Sequence, residues 1–288
     1  MSDIPAGAVV VGHDGSALAD QALRWAAAEA ALLGTGLHVL HATKLAGGSQ
    51  AWAAYLEEDL SRYGDAVLED AAETLADDDL TVTTGSISTT AGEALVEASR
   101  TAAVVVMGAR GLGRLSGPLL GSTTQRVSAH AHGPVVVVRD EPTAPHGPVV
   151  VGLDPTGNAD DAVRFAFDHA ARRGLGVLLV QAIPPAPPVR DAFRDSRTIE
   201  IVERAARAAA ADAQQQANRW REEFPDVPAD VDIVHDHPVE AITDASRRGS
   251  LTVVGSRGRG GLASTLLGSV SRGVLQHAAV VAVVRPRQ

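Results

Sequence analysis

The chain has 288 residues, a formal net charge of −10 and no cysteine. That length suits two domains of ordinary size, and the lack of cysteine excludes disulfides and thiolate metal sites. Net acidity argues against a nonspecific nucleic-acid binder, which shows a basic face. No apolar run reaches the ~18 residues of a membrane helix. The segment Met1–Gly7 lacks the basic and apolar regions of a signal peptide, so a cytoplasmic protein without a membrane span is expected.

In chain order, Ala8–Val11 is a short β-branched run that reads as a strand. A helix follows, with Leu18, Ala22, Trp25, Ala26, Leu32 and Leu33 near helical spacing and Ser16 as N-cap. Leu37–His41 is a second strand, Asp59–Ala76 an acidic amphipathic helix and Leu80–Ser86 a third strand. Gly92–Arg100 is a short helix, Ala103–Met107 a fourth strand, Ser122–Ala131 a helix and Pro134–Arg139 a fifth strand. The same order then recurs, with strands at Val149–Val151, Val177–Gln181, Val231–His235, Thr252–Val254 and Val280–Val284.

The recurrence is a repeat, not a loose similarity of pattern. Val9-Val10-Val11-Gly12-His13-Asp14 is matched 140 residues later by Val149-Val150-Val151-Gly152-Leu153-Asp154. Gly36–Ala42 matches Gly176–Ala182 in the same spacing. Residues 1–141 and 147–288 are therefore read as two homologous domains, joined near Asp140–Pro148, a stretch with three prolines. Strands one, four and five are nearly all valine, as parallel strands covered on both faces should be. Alternating β and α elements give an α/β class: two doubly wound, five-stranded parallel sheets of Rossmann-like type. Ligands of such sheets bind beyond the carboxyl ends of the strands at the switch point. Asp14 and Gly108 both fall there, and would be neighbours if strands one and four flank the switch.

After strand four runs Met107-Gly108-Ala109-Arg110-Gly111, then nine residues, then Gly121-Ser122-Thr123. The second half repeats it as Val254-Gly255-Ser256-Arg257-Gly258, then Gly268-Ser269-Val270. Glycines permit positive φ and close approach of backbone to a ligand. Successive amides in such turns form anion nests, and the helix after Gly121 offers unpaired amides and a positive dipole end. Ser122 with Gln125 forms a candidate capping box. Lys44 is the only lysine among 25 basic residues, and it does not stand where a P-loop needs one. Phosphate recognition here would use backbone amides, hydroxyls and arginine. Ordinary turn glycines, a helix-capping Ser122 and a turn-making Asp14 are the alternatives, and Arg110 and Arg257 read equally well as solvated loop residues.

With these motifs the chain resembles a tandem universal stress protein. The resemblance spans nearly all of both halves. It rests on Gly12-His13-Asp14-Gly15-Ser16, on the doubled glycine pattern and on the closing strand Pro134–Arg139. It implies an adenine-nucleotide α-hydrolase-like fold and binding of ATP, with Mg2+ carried through the phosphates. Asp14 and Asp154 would meet the ribose and adenine, with Gly12 and Gly152 beside them. The backbone at Ala42 and Ala182 would meet the adenine edge. Gly108, Arg110, Gly111, Gly121, Ser122 and Thr123 would hold the phosphates of one nucleotide, and Met107 is counted among the residues that bind it. Gly255, Arg257, Gly258, Gly268, Ser269 and Val270 would hold the phosphates of a second, with Val254 counted among its binding residues. The resemblance also implies an internal pseudo-dimer through Val135–Arg139 and Val280–Arg285, with a further homodimer left open.

The second half departs from the pattern. Asp154-Pro155-Thr156 replaces Asp-Gly-Ser, and proline removes a donor and fixes φ. Val270 lacks the hydroxyl of Thr123. The first site is expected to be the better one. The pairs His130/His132 and His235/His237 lack further ligands at metal spacing. No nucleophile–base–orienter set is visible. The expected function is a nucleotide-dependent stress-response regulator acting on an unidentified protein partner. A slow ATPase or nucleotidyl-transferring enzyme is the alternative.

Overall fold

The computed structural model describes residues 4–44, 50–76, 79–112, 119–154, 159–184, 196–256 and 267–285. The first half is β1 (Val9–Gly12), α1 (Ala17–Leu33), β2 (Leu37–Ala42), α2 (Gln50–Thr74), β3 (Val82–Ile87), α3 (Ala91–Ala98), β4 (Val104–Gly108), α4 (Ser122–His130) and β5 (Val135–Val138). The second half is β6 (Val149–Gly152), α5 (Asp160–Arg173), β7 (Val177–Ala182), α6 (Ser196–Glu223), β8 (Ala229–Val234), α7 (Pro238–Ser246), β9 (Leu251–Gly255), α8 (Ser269–His277) and β10 (Val280–Val284).

All ten strands form one sheet in the order β3-β2-β1-β4-β5-β10-β9-β6-β7-β8. Within each half the neighbours are parallel, and β1 lies between β2 and β4, which is the topological switch. At the centre, β5 and β10 run antiparallel, Val280 opposite Val138 and Val283 opposite Val135. Two apolar strands that would otherwise be open edges thus cover one another. The true edges, β3 and β8, are polar and half-exposed, with Thr83, Thr84, Asp230 and Asp232. Such edges resist further strand addition.

Alternation along the strands sorts the core into two layers. Val9 and Val11 face one side with α1, α2, α5 and α6; Val10 faces the other with α3, α4, α7 and α8. Each buried valine contributes about 1.5–3 kcal/mol relative to exposure.

Local chemistry explains the element ends. Ser16 caps α1, its hydroxyl accepting from Ala19 N–H at 3.3 Å. Several strands run one residue further than their apolar pattern, because Gly12, Gly108, Gly152 and Gly255 still pair with neighbours at the carboxyl rim. Helix α2 starts well before Asp59, since the alanine-rich stretch ahead of it is itself helix-forming. The capping box at Ser122 is not formed. Gly121 is the N-cap, without a side-chain cap, and Ser122 is already the first helical residue. Gln125 instead donates its amide to Leu120 O at 3.0 Å.

Candidate functional site

The carboxyl ends of β1, β2 and β4 make one rim in the first half. Gly12 is in register with Leu40 on one side and Met107 on the other. Gly12, Asp14, Ala42, Met107, Gly108 and the start of α4 are thereby drawn to one place, although they are far apart in the chain.

The turn carrying Asp14 is held by its neighbours. His13 N–H donates to Leu40 O at 3.0 Å, and His41 Nδ1–H donates to His13 O at 2.8 Å. Gly15 N–H donates to His13 Nδ1 at 3.3 Å, so the proton of that ring sits on Nε2, which donates to Asp20 Oδ1 at 3.1 Å. Burial, only partly opposed by Asp20, lowers the pKa of His13 and keeps it neutral. Tyr63 Oη donates to Asp14 O at 3.0 Å and stands edge-on to His41. Gly15 has φ of 81°, a conformation that disfavours any side chain.

Asp14 joins the two loops. Its Oδ1 accepts from Ser16 N–H at 3.1 Å, and its Oδ2 accepts from Leu112 N–H at 3.0 Å. A Cβ on Gly111 would lie 2.1 Å from that Oδ2. A side chain there would have to push the Asp14 carboxylate away from Leu112 N–H. Positive φ is not the reason: among the described glycines it occurs at Gly7, Gly15, Gly34 and Gly174, and at none of those in the loops after β4 and β9. Gly121 differs again. A Cβ there would meet nothing closer than 3.5 Å, so the protein's own packing does not demand glycine.

A hydroxyl missed in the sequence completes the loop. Thr124 Oγ1, buried, donates toward Gly108 O and Ala109 O, each at 3.1 Å. Gly121 N–H also donates to Ala109 O at 3.0 Å, and Ala109 N–H to Val138 O at 2.7 Å. The strand end, the loop and α4 are thus tied together. Ser271 repeats the role, donating to Gly255 O at 2.5 Å, with Gly268 N–H on Ser256 O at 2.9 Å. The signal was available: both halves place a hydroxyl three residues after the last motif glycine. Ser122 is exposed and Thr123 half-buried on the first turn of α4, where helix amides lack intrahelical partners. Arg110 is half-buried, and its charge joins burial in lowering the pKa of Arg139 at the β5–β10 seam.

In the second half, Gly152, Asp154, Ala182, Val254, Gly255, Gly268, Ser269 and Val270 are placed on the corresponding rim. Arg257, Gly258 and Pro155 lie outside the described residues. The clamp around the turn changes: Leu153 stands for His13 and Gln181 for His41, and Gln181 turns its amide to Ala182 O at 2.9 Å. His130, His132, His235 and His237 lie at helix or loop ends. Among the described residues no cluster of three or more His, Asp or Glu could hold a metal ion. No described helix is long and apolar enough to cross a membrane.

Comparison with known proteins agrees with this architecture. The universal stress protein family model matches the chain twice, at residues 6–139 and 146–285. A universal stress protein of Mycolicibacterium smegmatis is 35% identical over 300 residues, covering 97% of each chain. One from Mycobacterium tuberculosis is 34% identical over 298 residues, again covering 97% of both. The crystal structure of a universal stress protein from Archaeoglobus fulgidus superposes with a TM-score of 0.67 at 19% identity, covering 96% of each chain. A universal stress protein structure from Pseudomonas aeruginosa gives 0.65 at 18% identity, over 98% of this chain and 94% of that one. Twice matched and built as two like halves in one sheet, this chain belongs to the universal stress protein family as a tandem member.

Proposed function

We propose that the chain is an ATP-binding regulator whose first half holds the stronger nucleotide site. The observation that carries this reading is the junction of Asp14 with the Gly111 loop. Leu112 N–H already engages an anionic oxygen there, at 3.0 Å, against a glycine with no room for a Cβ. A loop that presents amides to a carboxylate is suited to phosphate oxygens. Gly108, Arg110, Gly111 and the first turn of α4 at Gly121, Ser122 and Thr123 would take the triphosphate. Asp14 and the Ala42 backbone would face the nucleoside. Mg2+ would arrive on the phosphates, since the described residues form no metal cluster of their own.

Leu112 and Leu119 are exposed on either side of the same loop, at 62% and 50%. Nucleotide occupancy would change the surface around them, and a partner protein would read that change. The second site, with Asp154, Gly255, Gly268 and Ser269 but without His13, Gly15 and Thr123, would bind more weakly or stay empty. The chemistry favours a cytoplasmic protein, where ATP is available.

Isothermal titration of the nucleotide-free chain with Mg-ATP, paired with native mass spectrometry, tests this. One tight site is expected, weakened roughly 10–100-fold by Gly111→Val and kept by a substitution on the second rim such as Asp154→Asn. No ATP affinity in the intact chain, or binding insensitive to Gly111→Val, would overturn it.

A further inference from the structure

The seam between the halves has a nearly symmetric part and an asymmetric part. The strands β5 and β10 meet through backbone bonds and small apolar side chains, Val135–Val138 against Val280–Val283. Arg139 reaches across to Leu275 O at the end of α8, with Nη2 at 2.9 Å, and Arg285 reaches back to Ser128 O and Ala129 O at the end of α4. Both arrangements would form equally well between two copies of either half.

The contact of α1 with α5 is different. Gly34 and Gly174 end the two helices as matched left-handed caps, at φ 62° and 63°. Glu29 and His169 each stand five residues before their cap, so they are the same position in the repeat. They face each other across the seam with His169 Nδ1 3.3 Å from Glu29 Oε1, and both are buried, Glu29 at 1% and His169 at 2% exposure. Arg173 Nη2 lies 3.6 Å from Glu29 Oε2, and its counterpart in α1 is Leu33. The imidazole is stacked with Trp25 at 6.1 Å and with Phe165 at 6.2 Å, again a matched pair of positions. Burial alone would raise the pKa of Glu29; the hydrogen bond and charge of His169, with Arg173, outweigh it and keep the carboxylate ionised.

We infer that the α1–α5 seam is a partner-selecting surface that sets Glu29 of the first half against His169 and Arg173 of the second. Residues at equivalent positions that touch lie on the pseudo-twofold axis, where in a pairing of identical halves each would meet itself. Two first halves would bury Glu29 against Glu29. Two second halves would bury His169 against His169 with two Arg173 side chains beside them. Two buried carboxylates this close cannot both stay ionised, and two Arg173 guanidiniums would be left without the carboxylate they meet here. Only the union of unlike halves pairs the carboxylate. The valine strands supply adhesion without choice; Glu29, His169 and Arg173 supply the choice. The seam therefore disfavours pairing of two first halves, or of two second halves, from different copies.

The test separates selection from stability in the full-length chain. In E29L/H169L/R173L the polar contact becomes a symmetric apolar one, with leucine at both copies of each position, a change that buried pairs often tolerate. This variant should melt within a few degrees of the parent. After refolding from denaturant at rising protein concentration it should yield species of twice the starting mass by light scattering, while the parent returns to its starting mass. Leucine variants that return to the starting mass at every concentration would overturn the inference. A second set guards against a variant that does not fold. E29H and H169E should each lower the melting temperature by roughly 10 °C. The exchanged pair E29H/H169E should recover more than half of that loss, with Arg173 near Glu at position 169 as an i, i+4 partner. Simple addition of the two losses would overturn it.

Discussion

After β1 the chain turns through His13, Asp14 and Gly15; after β6 the same positions are Leu153, Asp154 and Pro155. The first turn uses a φ of 81° at Gly15, with His13 accepting from the Gly15 amide. A proline ring holds φ near −65° and brings no amide proton, so neither feature has a counterpart in the second half. After β4 and β9, by contrast, the halves agree: Thr124 and Ser271 clamp the strand end in the same way. The difference teaches that one scaffold can keep the clamp at its fourth strand end while changing the turn after its first strand. The hydroxyl clamp is part of the fold in both halves, whereas the His13–Asp14–Gly15 turn is found in the first half alone.

The sharpest break of that comparison is Gly111→Val. Its side chain would displace the Asp14 carboxylate, and ATP affinity at the first site should fall roughly 10–100-fold, read by calorimetry. Unchanged affinity would show that the Asp14–Leu112 junction is irrelevant to the ligand. Next in size is the clamp itself. Thr124→Val leaves buried carbonyls short of a donor and should cost about 1–3 kcal/mol in denaturant unfolding, with Thr124→Ser near neutral. Ser271→Ala should cost a similar amount if the two clamps are equivalent. An effect confined to one half would break the symmetry claimed for them.

A smaller gain is expected from repairing the second turn. Pro155→Gly with Thr156→Ser restores the Asp-Gly-Ser order, and second-site affinity should rise by about tenfold, or ~1.4 kcal/mol, seen as a second nucleotide in native mass spectra. A mass spectrum that keeps a single nucleotide would place the defect elsewhere, with Val270 the next candidate.

The smallest expected effect concerns pH. Burial lowers the pKa of His13 and of His38, so both stay neutral in the fold while the unfolded chain binds their protons more readily. Their contribution is complete above about pH 6.5 and declines as the pH falls below it. The matching residues of the second half are Leu153 and Leu178, which do not titrate. Acidification from pH 7.5 to 5.5 should therefore loosen the first half first, visible as faster amide exchange in β1 and β2 than in β6 and β7. His13→Gln should reduce that contrast, and equal exchange in the two halves would remove the histidines from the account.

Much of this was legible without coordinates because it is local or periodic. The valine runs of β1, β4 and β5 reported strands covered on both faces, and Ser16 reported its own helix start. The glycine loops were visible by spacing, but their physical reason was not. Any side chain at Gly111 would displace the carboxylate of Asp14, nearly a hundred residues away, and no local rule contains that distance. Ser122 reads as a cap because hydroxyls often are; Gly121 takes the position once Ala109 O holds its amide. Thr124 passed unnoticed because its partners are strand carbonyls beyond the motif.

The sequence by itself determined the repeat, the α/β class, the placement of both glycine loops after strand four and the inequality of the two turns. These depend on side-chain period, on proline and on glycine, whose effects act within a few residues. Only the tertiary structure decided that Asp14 bonds to Leu112 across the rim, that Thr124 and Ser271 clamp the loops, and that Glu29 meets His169 across the seam. Those pairings depend on strand order and on a pseudo-twofold axis, and such long-range geometry is set by how all the layers pack together.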